Sequence, residues 1–318
     1  MIKTRLVLTL SVVASLAASA GFAMSQDAKF KETIRIPVYN VPDSDFVDYV
    51  FGQVLQKAGY DVEYVKIDYT AHFTALEFGD VDLSPAVWGT SKDMIDKTIE
   101  SGAVKNAGSA GVQTKETWWY PNYVAELCPG LPDWKALKEP ACIKALSTST
   151  SGDKINYLGT PPDFAAYDDE RIKALGLEAH VTLPGTVGTM VATMQGAIQK
   201  KEPIIGWGMT PHWLYGSDQG KFVDFPEFDD RCPTDPSWGI NPDAVWDCAL
   251  STGNIVKLYN VEFAEKAPDV IKIFDSFKLT SDAVAKGISR QDIDGVTPER
   301  AAKEWVDANT GIWSPWLR

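Results

Sequence analysis

Strand-like and helix-like patterns alternate along the chain from residue 33 onward, and this alternation limits the fold more than any other feature. Residues 33–40 and 61–68 have the pattern of β-strands. Residues 43–59 between them have the apolar spacing of a helix with a glycine at its end, and residues 91–102 predict another helix. Strands that alternate with helices form sheets whose faces the helices cover. The pattern therefore predicts an α/β fold with parallel-rich sheets.

The middle of the chain behaves as a second unit. Residues 186–201 predict a helix with a glycine-containing start, and residues 203–209 predict the next strand. The following segment, 217–248, is irregular, acidic and rich in proline, and helical patterns return after it. A chain of 318 residues is long enough for two domains.

The N-terminus has the three parts of a secretory signal. Lys3 and Arg5 precede a mostly apolar run that ends near Leu16, and small residues follow. We predict a signal peptide over residues 1–23 that is cleaved near residues 20–24. The apolar run is shorter than the roughly 20 residues that a permanent membrane span needs. The mature protein is therefore predicted to be exported and soluble.

The cysteines agree with export. An even number of cysteines in an exported chain favours disulfides over metal binding. Four cysteines permit three pairings, and we predict the local one, which joins Cys128 to Cys142 and Cys232 to Cys248. Each bridge would close a loop of about 15 residues.

Several classes of function lack support in the sequence. The 43 acidic and 30 basic residues give a formal charge of −13, which disfavours binding to nucleic acid. No nucleophile elbow, phosphate-binding loop or complete dinucleotide motif is present. The acidic group Asp229, Asp230 and Asp235 could hold calcium, but it lacks the spacing and closing glutamate of an EF-hand, which favours a solvated loop. We predict no cofactor and no enzyme.

Tryptophans occur at places where ligand sites form in α/β proteins. Trp88 and Trp207 lie in strands near their ends, and Trp207 shares one strand face with Met209. Glycines on either side of Trp207 leave open space beside its indole. Trp118 and Trp119 lie where the chain first crosses into the middle unit, and Trp213 follows the second of these strands. Together these residues predict an aromatic box, which is a known way of binding quaternary ammonium groups.

A resemblance to a known family rests on five segments: LEFGDVDLSPAVWGTSKD, TWWYPNYVAEL, KKEPIIGWGMTPHWLYG, NPDAVWDCAL and TPERAAKEWVDANTGIWSPWL. They resemble the substrate-binding proteins of glycine betaine/choline-class ABC transporters. The likeness covers nearly the whole mature chain. It implies a periplasmic binding protein of type II, a two-lobed Venus flytrap that works with permease and ATPase subunits in the inner membrane.

The resemblance also implies how the chain divides. We expect one lobe to contain residues 30–115 and 223–318, and the other to contain residues 116–222. The two crossings between the lobes are expected near 113–123 and 215–226.

The resemblance implies a binding site between the lobes. In it, aromatic rings surround a methylated ammonium ligand. Trp88 matches the aromatic residue that closes the family's D-x-x-P-x-x-W segment. Many relatives have a box tryptophan two residues before the proline of TPHW, where this chain has Met209. Trp207 lies two places earlier on the same face, which predicts a reshaped box walled by Trp88, by Trp119 or Trp118, by Trp207 and by Trp213.

Two further groups are candidates for ligand contact. Glu116 could place a negative charge beside the methyl groups, or it could be a solvated residue. The helix start at 185–189, which includes Thr186 and Gly188, could offer backbone N–H groups to an anionic end of the ligand. Close packing is an equally good explanation of that glycine.

Three functions remain open at this stage. The first is a receptor for a compact methylated osmolyte such as glycine betaine, choline, trimethylamine N-oxide or dimethylsulfoniopropionate. The second is a secreted enzyme on the same scaffold, which turnover of a ligand would reveal. The third is a carbohydrate-binding module, because tryptophan platforms also stack on sugars.

Overall fold

A computed structural model describes residues 29–39, 41–162, 164 and 166–318. The predicted signal peptide, residues 1–23, lies outside the described residues. Within the described part of the chain, no helix is long and apolar enough to cross a membrane.

The first third of the chain alternates strands and helices, as predicted. Proline begins the first helix, where its missing N–H costs nothing, and a glycine with positive φ follows its end. The elements in order are β1 (Ile34–Val38), α1 (Pro42–Lys57), β2 (Val62–Lys66), α2 (Ala71–Glu77), β3 (Leu83–Trp88), α3 (Lys92–Glu100) and the long strand β4 (Val104–Pro121).

The middle third contains shorter elements and the predicted helix 186–201, whose first residues are capped by the Thr186 side chain. The elements are α4 (Val124–Leu127), a 3₁₀ turn (Trp134–Lys138), α5 (Pro140–Leu146), β5 (Ile155–Leu158), α6 (Asp168–Leu175), β6 (Ala179–Thr182), α7 (Val187–Lys200), β7 (Ile205–Thr210) and β8 (Gly220–Phe222).

The last third begins with a strand and is otherwise helical. Threonine and asparagine side chains cap three of these helices by accepting hydrogen bonds from the third residue beyond. The elements are β9 (Gly253–Asn260), α8 (Val261–Lys266), α9 (Pro268–Ser276), α10 (Ser281–Asp292), α11 (Pro298–Ala308), α12 (Thr310–Trp313) and a 3₁₀ turn (Ser314–Leu317).

One long strand connects the two halves of the main sheet. The strand order is β3-β9-β4-β7-β5-β6, and β1 and β2 form a separate parallel pair. Val104 to Thr114 of β4 pair with β9, whereas Lys115 to Trp119 pair with β7, in both cases antiparallel. Pairing within β5, β6 and β7 is parallel. The predicted α/β architecture is confirmed, and its sheet is mixed because β4 and β9 run against their neighbours.

Buried side chains form two large hydrophobic cores, here called the first and the second core. The first core joins β1, α1 and β3 to helices α8 to α11, so residues 30–112 pack with the C-terminal part of the chain. In it Phe51 contacts both Phe274 and Phe277 with ring centroids 5.0 Å apart. The second core surrounds β5, β7 and α7.

The packing of residues 223–255 gives the path by which the chain returns to the first core, and the predicted division into lobes stays a prediction. Val223 and Phe225, which were assigned to the first lobe, are buried in the second core. Ala249 also packs against the second core, whereas Ile255 of β9 lies in the first. The acidic loop stays with the second core because Arg171 donates to the carbonyl oxygen of Cys248 and Asn241 donates to that of Ala174, which attaches the loop to α6.

Both predicted disulfides are confirmed. Cys128 pairs with Cys142 and Cys232 pairs with Cys248, at sequence separations of 14 and 16 residues. The first bridge links α4 to α5, and the second closes the acidic loop between β8 and β9.

Candidate ligand-binding site

A cavity of about 550 Å³ lies where β3 and β7 end, between side chains of the second core and the starts of α1 and α3. Its volume is within the range of small-molecule sites. Aromatic rings dominate its wall, and carboxylates and hydroxyls complete it. The aromatic residues in the wall are Tyr69, Trp88, Phe164, Tyr167, Trp207, Phe228 and Trp246.

Trp88 is held at the cavity by a buried carboxylate. It is the last residue of β3, and its indole Nε1 donates a hydrogen bond of 2.7 Å to Oδ2 of Asp43 at the start of α1. Oδ1 of Asp43 is buried, has no hydrogen-bond partner and belongs to a residue that lines the cavity. Burial raises the pKa of the Asp43 carboxyl above its ordinary value, although the bond from Trp88 opposes this effect.

Glu116 and Met209 enter the cavity wall side by side. They are paired residues on the antiparallel strands β4 and β7, so their side chains lie on one face of the sheet. Burial, and to a smaller extent the nearby Asp43, raise the pKa of Glu116 to about 7, although a hydrogen bond with Thr90 opposes this effect. A carboxyl with this pKa changes its charge near neutral pH.

Trp207 lines the cavity, and its neighbouring glycines have a different role from the predicted one. A Cβ at Gly208 would lie 2.7 Å from Cβ of Trp119, and one at Gly206 would lie 2.9 Å from Cβ of Leu158. The space next to Gly206 and Gly208 of β7 is therefore filled by side chains on the face of the sheet opposite to Trp207. These glycines permit close packing and leave no room for a ligand.

Trp118 and Trp119 do not line the cavity. Trp118 stacks on Tyr157 with ring centroids 3.9 Å apart and donates its indole N–H to Asp168 at 2.8 Å. Trp119 points to the opposite face of the strand and packs edge-on against Tyr215. Both are fully buried in the second core. The wall that the sequence assigned to one of them is supplied by other rings.

Trp213 also lies outside the cavity lining. It packs against both cores, and its Nε1 donates to Oδ2 of Asp292 at 2.8 Å. Nε2 of His212 lies 3.3 Å from the same oxygen. Trp213 therefore joins the segment after β7 to helix α10 of the first core.

The predicted helix start at 185–189 is exposed except at Val187 and is not part of the cavity wall. Its Thr189 N–H already has a partner, since it donates to Oγ1 of Thr186 at 3.1 Å. A Cβ at Gly188 would meet nothing closer than 3.9 Å. Contact of Thr186 or Gly188 with a ligand stays a prediction.

Five of the aromatic residues in the wall were missed by the sequence analysis. Tyr69, Phe164 and Phe228 lie in loops, where periodicity gives no signal. Tyr167 and Trp246 stack on each other with centroids 3.7 Å apart and planes inclined by 10°. Trp246 lies in the segment NPDAVWDC, so the resemblance that includes this segment was the available signal.

Basic groups are scarce in this site. Among the described residues that line the cavity, Lys92 is the basic one, and its ammonium group pairs with Asp96. Asp93 and Asp230 add further negative charge to the wall. The part of the chain that the structure describes has no cluster of residues suited to a metal ion, and Asp229 pairs with Arg231.

Comparison with known proteins identifies the family. The sequence pattern of one protein family, the substrate-binding domain of ABC-type glycine betaine transport systems, matches residues 32–308. The chain belongs to this family. Members of the glycine betaine transport family are solute-binding proteins of transporters rather than enzymes.

Individual relatives agree with the family. The chain is 30% identical over 315 residues to the trimethylamine N-oxide-binding protein of Pelagibacter ubique. The match covers 97% of each of the two chains. Among solved structures, a glycine betaine/L-proline-binding protein from Borrelia burgdorferi has a TM-score of 0.70 at 18% identity, over 90% of this chain and 97% of its own. Lactococcal OpuAC, in a closed conformation with glycine betaine, has a TM-score of 0.68 at 16% identity. The match covers 91% of this chain and 100% of that structure's chain. These structures establish the fold as that of type II periplasmic binding proteins.

Proposed function

We propose that this protein binds a compact methylated ammonium compound, with trimethylamine N-oxide as the first candidate, in the cavity at the ends of β3 and β7. The observation that supports this most is the combination in one wall of the Trp88 and Trp207 rings with the carboxyls of Asp43 and Glu116. A methylated ammonium group has no N–H to donate, so ring faces and negative charges are the partners it can use.

The energy available from such a wall suits a small ligand. One desolvated cation–π contact is worth up to about 2 kcal/mol, so two tryptophans supply roughly 4 kcal/mol. Micromolar binding corresponds to about 8.2 kcal/mol. Tyr69 and the Tyr167–Trp246 stack offer further ring surface, and the carboxylates add attraction to the positive charge.

The charges of the wall favour a ligand without a carboxylate. A betaine carboxylate is bound best by basic side chains, and the described lining offers only Lys92, which lies in an exposed pair with Asp96. The N-oxide oxygen of trimethylamine N-oxide needs only hydrogen-bond donors, which hydroxyls such as that of the buried Thr160 can supply. The likeness to a trimethylamine N-oxide-binding protein over 97% of the chain supports the same choice.

The remaining parts of the proposal concern the transport system. We assign the protein to the periplasm as the receptor of an ABC importer with permease and ATPase subunits. We also propose that the two cores form two lobes that close on the ligand, because a cavity of about 550 Å³ is much larger than a ligand with five non-hydrogen atoms. Closure would bring more of the wall into contact.

A thermal-shift screen tests this function. Trimethylamine N-oxide and choline are expected to raise the melting temperature because they bind the folded state, and glycine betaine is expected to do so less. Sugars are expected to leave it unchanged. A shift with sugars alone would contradict the proposal and favour a carbohydrate-binding module, and turnover of a bound ligand would favour an enzyme.

Binding is expected to depend on pH through Glu116. Its pKa of about 7 applies to the empty cavity, where Asp43, the Tyr69 hydroxyl and Thr90 surround it. A methylated ammonium beside this carboxyl stabilises the ionised form, so binding releases a proton below the pKa. Affinity should therefore rise by roughly tenfold from pH 6 to pH 8 and level off above that.

The Glu116→Gln variant is the control for this dependence. It keeps the shape of the side chain and cannot lose a proton, so its affinity should stay close to the acidic value across the same pH range. Calorimetric titration at several pH values measures both proteins. An affinity that falls as pH rises would show that a protonated Glu116 donates to the ligand, which contradicts the assigned role.

A further inference from the structure

Two residues of the cavity wall have a strained backbone. Tyr167 has a φ of 52° and Trp246 has a φ of 65°, in the left-handed region that side chains rarely adopt. Such a conformation is unfavourable for residues with side chains and persists only where the surroundings enforce it. The rings of these two residues are the pair that stacks in the cavity wall. Something in the structure must therefore hold both segments in place.

Arg171 contacts both segments. This side chain on α6 is 1% exposed and does not line the cavity. Its Nε donates to the carbonyl oxygen of Cys248 at 2.8 Å, two residues after Trp246. Its Nη1 donates to the carbonyl oxygen of Ala166 at 3.3 Å, one residue before Tyr167. A single planar guanidinium thus fixes the distance between the two strained residues.

The charge of this buried guanidinium is matched inside the protein. Nη1 of Arg171 lies 3.2 Å from Oδ1 of Asp168, and the same oxygen accepts the indole N–H of Trp118 at 2.8 Å. Trp118 in turn stacks on Tyr157 in the second core. A buried ion pair is a weak source of stability compared with apolar packing, so its retention needs another explanation. Fixing two backbone segments is a role that an apolar pair could not fill.

We propose that Arg171 is a positioning residue for ligand binding, which holds the Tyr167–Trp246 stack as a rigid wall of the cavity. The role of Arg171 in ligand binding rests on the proposed function, whereas its role in holding the stack does not. The position of the stack itself can be measured in the empty protein.

The test compares Arg171→Met with Trp246→Phe by near-ultraviolet circular dichroism without ligand. Stacked aromatic rings in a fixed geometry give a near-ultraviolet signal, and Trp246→Phe defines the part that comes from this indole. We expect Arg171→Met to lose the same part. Arg171→Lys keeps the positive charge opposite Asp168, but its single ammonium group cannot reach the carbonyl oxygens of both Ala166 and Cys248. Compared with Arg171→Met, it should therefore regain more of the stability than of the circular dichroism signal.

Affinity for trimethylamine N-oxide is then measured by calorimetry on the same proteins. Arg171→Met is expected to bind at least tenfold more weakly than the unmodified protein. The matched control is Arg35→Met, which breaks an ion pair with Asp82 next to the first core and away from the cavity wall. It should lower the melting temperature and leave the affinity unchanged.

Each outcome decides a separate point. An intact stack signal in Arg171→Met overturns the positioning role. A lost signal with unchanged affinity shows that the stack is not a ligand wall and also overturns the proposal, while the proposed function stands. If the unmodified protein binds no methylated ammonium compound, the proposed function fails and the circular dichroism result still decides whether Arg171 holds the stack. If Arg171→Met does not fold, Arg171→Lys gives the same comparison.

Discussion

Replacement of Trp207 or Trp88 by alanine is expected to weaken the binding of trimethylamine N-oxide by about thirtyfold in each case. Each indole lines the cavity, and loss of one desolvated cation–π contact removes about 2 kcal/mol, where 1.4 kcal/mol corresponds to a tenfold change. Phenylalanine at either position keeps a smaller ring and should give an intermediate loss. Calorimetric titration of the four variants measures the effect.

Trp305→Ala is the matched control for these variants. Trp305 is half-buried at the edge of the first core and does not line the cavity. Its removal should reduce stability through lost packing and leave the affinity unchanged. Equal affinities for Trp88→Ala, Trp207→Ala and the unmodified protein would show that these two indoles only support the fold.

The second large effect is expected from the disulfides. Removal of either bridge by paired Cys→Ser substitution should lower the free energy of unfolding by about 3 kcal/mol, since the two loops have similar lengths of 14 and 16 residues. Their effects on binding should differ. The 232–248 loop contains Trp246 and Pro233 of the cavity wall, whereas the 128–142 loop contributes no described residue to it.

Chemical denaturation and calorimetry together separate these two effects. The Cys232→Ser/Cys248→Ser protein is expected to lose stability and to bind at least several-fold more weakly. The Cys128→Ser/Cys142→Ser protein is expected to lose similar stability and to bind normally. A normal affinity in the first of these proteins would mean that the acidic loop does not shape the ligand site.

Local features of the fold could be predicted because they depend on short-range patterns. The helix after β1 was evident from its apolar spacing and terminal glycine, and the disulfides followed from export and local spacing. The attachment of the irregular segment after β8 could not be obtained in this way. The segment 217–252 has little regular structure, so its attachment to the second core depends on long-range contacts such as that between Arg171 and Cys248.

The candidate site was predictable in part for the same reason. Strand periodicity correctly put Trp207 and Met209 on one face, and both line the cavity. Periodicity could not choose between Trp118 and Trp119, because that depends on what covers each face of β4. Tyr157 and Asp168 cover Trp118, and Tyr215 covers Trp119. Both indoles therefore belong to the core.

Asp43 illustrates a contribution that no pattern would reveal. In the sequence it is a helix-start residue with an acidic side chain, which is common and needs no further explanation. In the structure it is buried, orients the Trp88 indole and leaves one oxygen without a partner beside the cavity. Its importance depends on the approach of β3 to α1, which brings together Asp43 and Trp88 across 45 residues of sequence.

Trimethylamine N-oxide and tert-butanol together show whether the cavity binds the charge of a methylated ammonium or only its shape. The two molecules have nearly the same shape, but in tert-butanol carbon replaces the charged nitrogen and a neutral hydroxyl replaces the anionic oxygen. Calorimetric titration of the unmodified protein at pH 8 should show binding of trimethylamine N-oxide and at least a hundredfold weaker binding of tert-butanol, because two cation–π contacts alone supply roughly 4 kcal/mol. Similar affinities for the two compounds would show that the cavity selects shape and apolar surface, and would contradict the account.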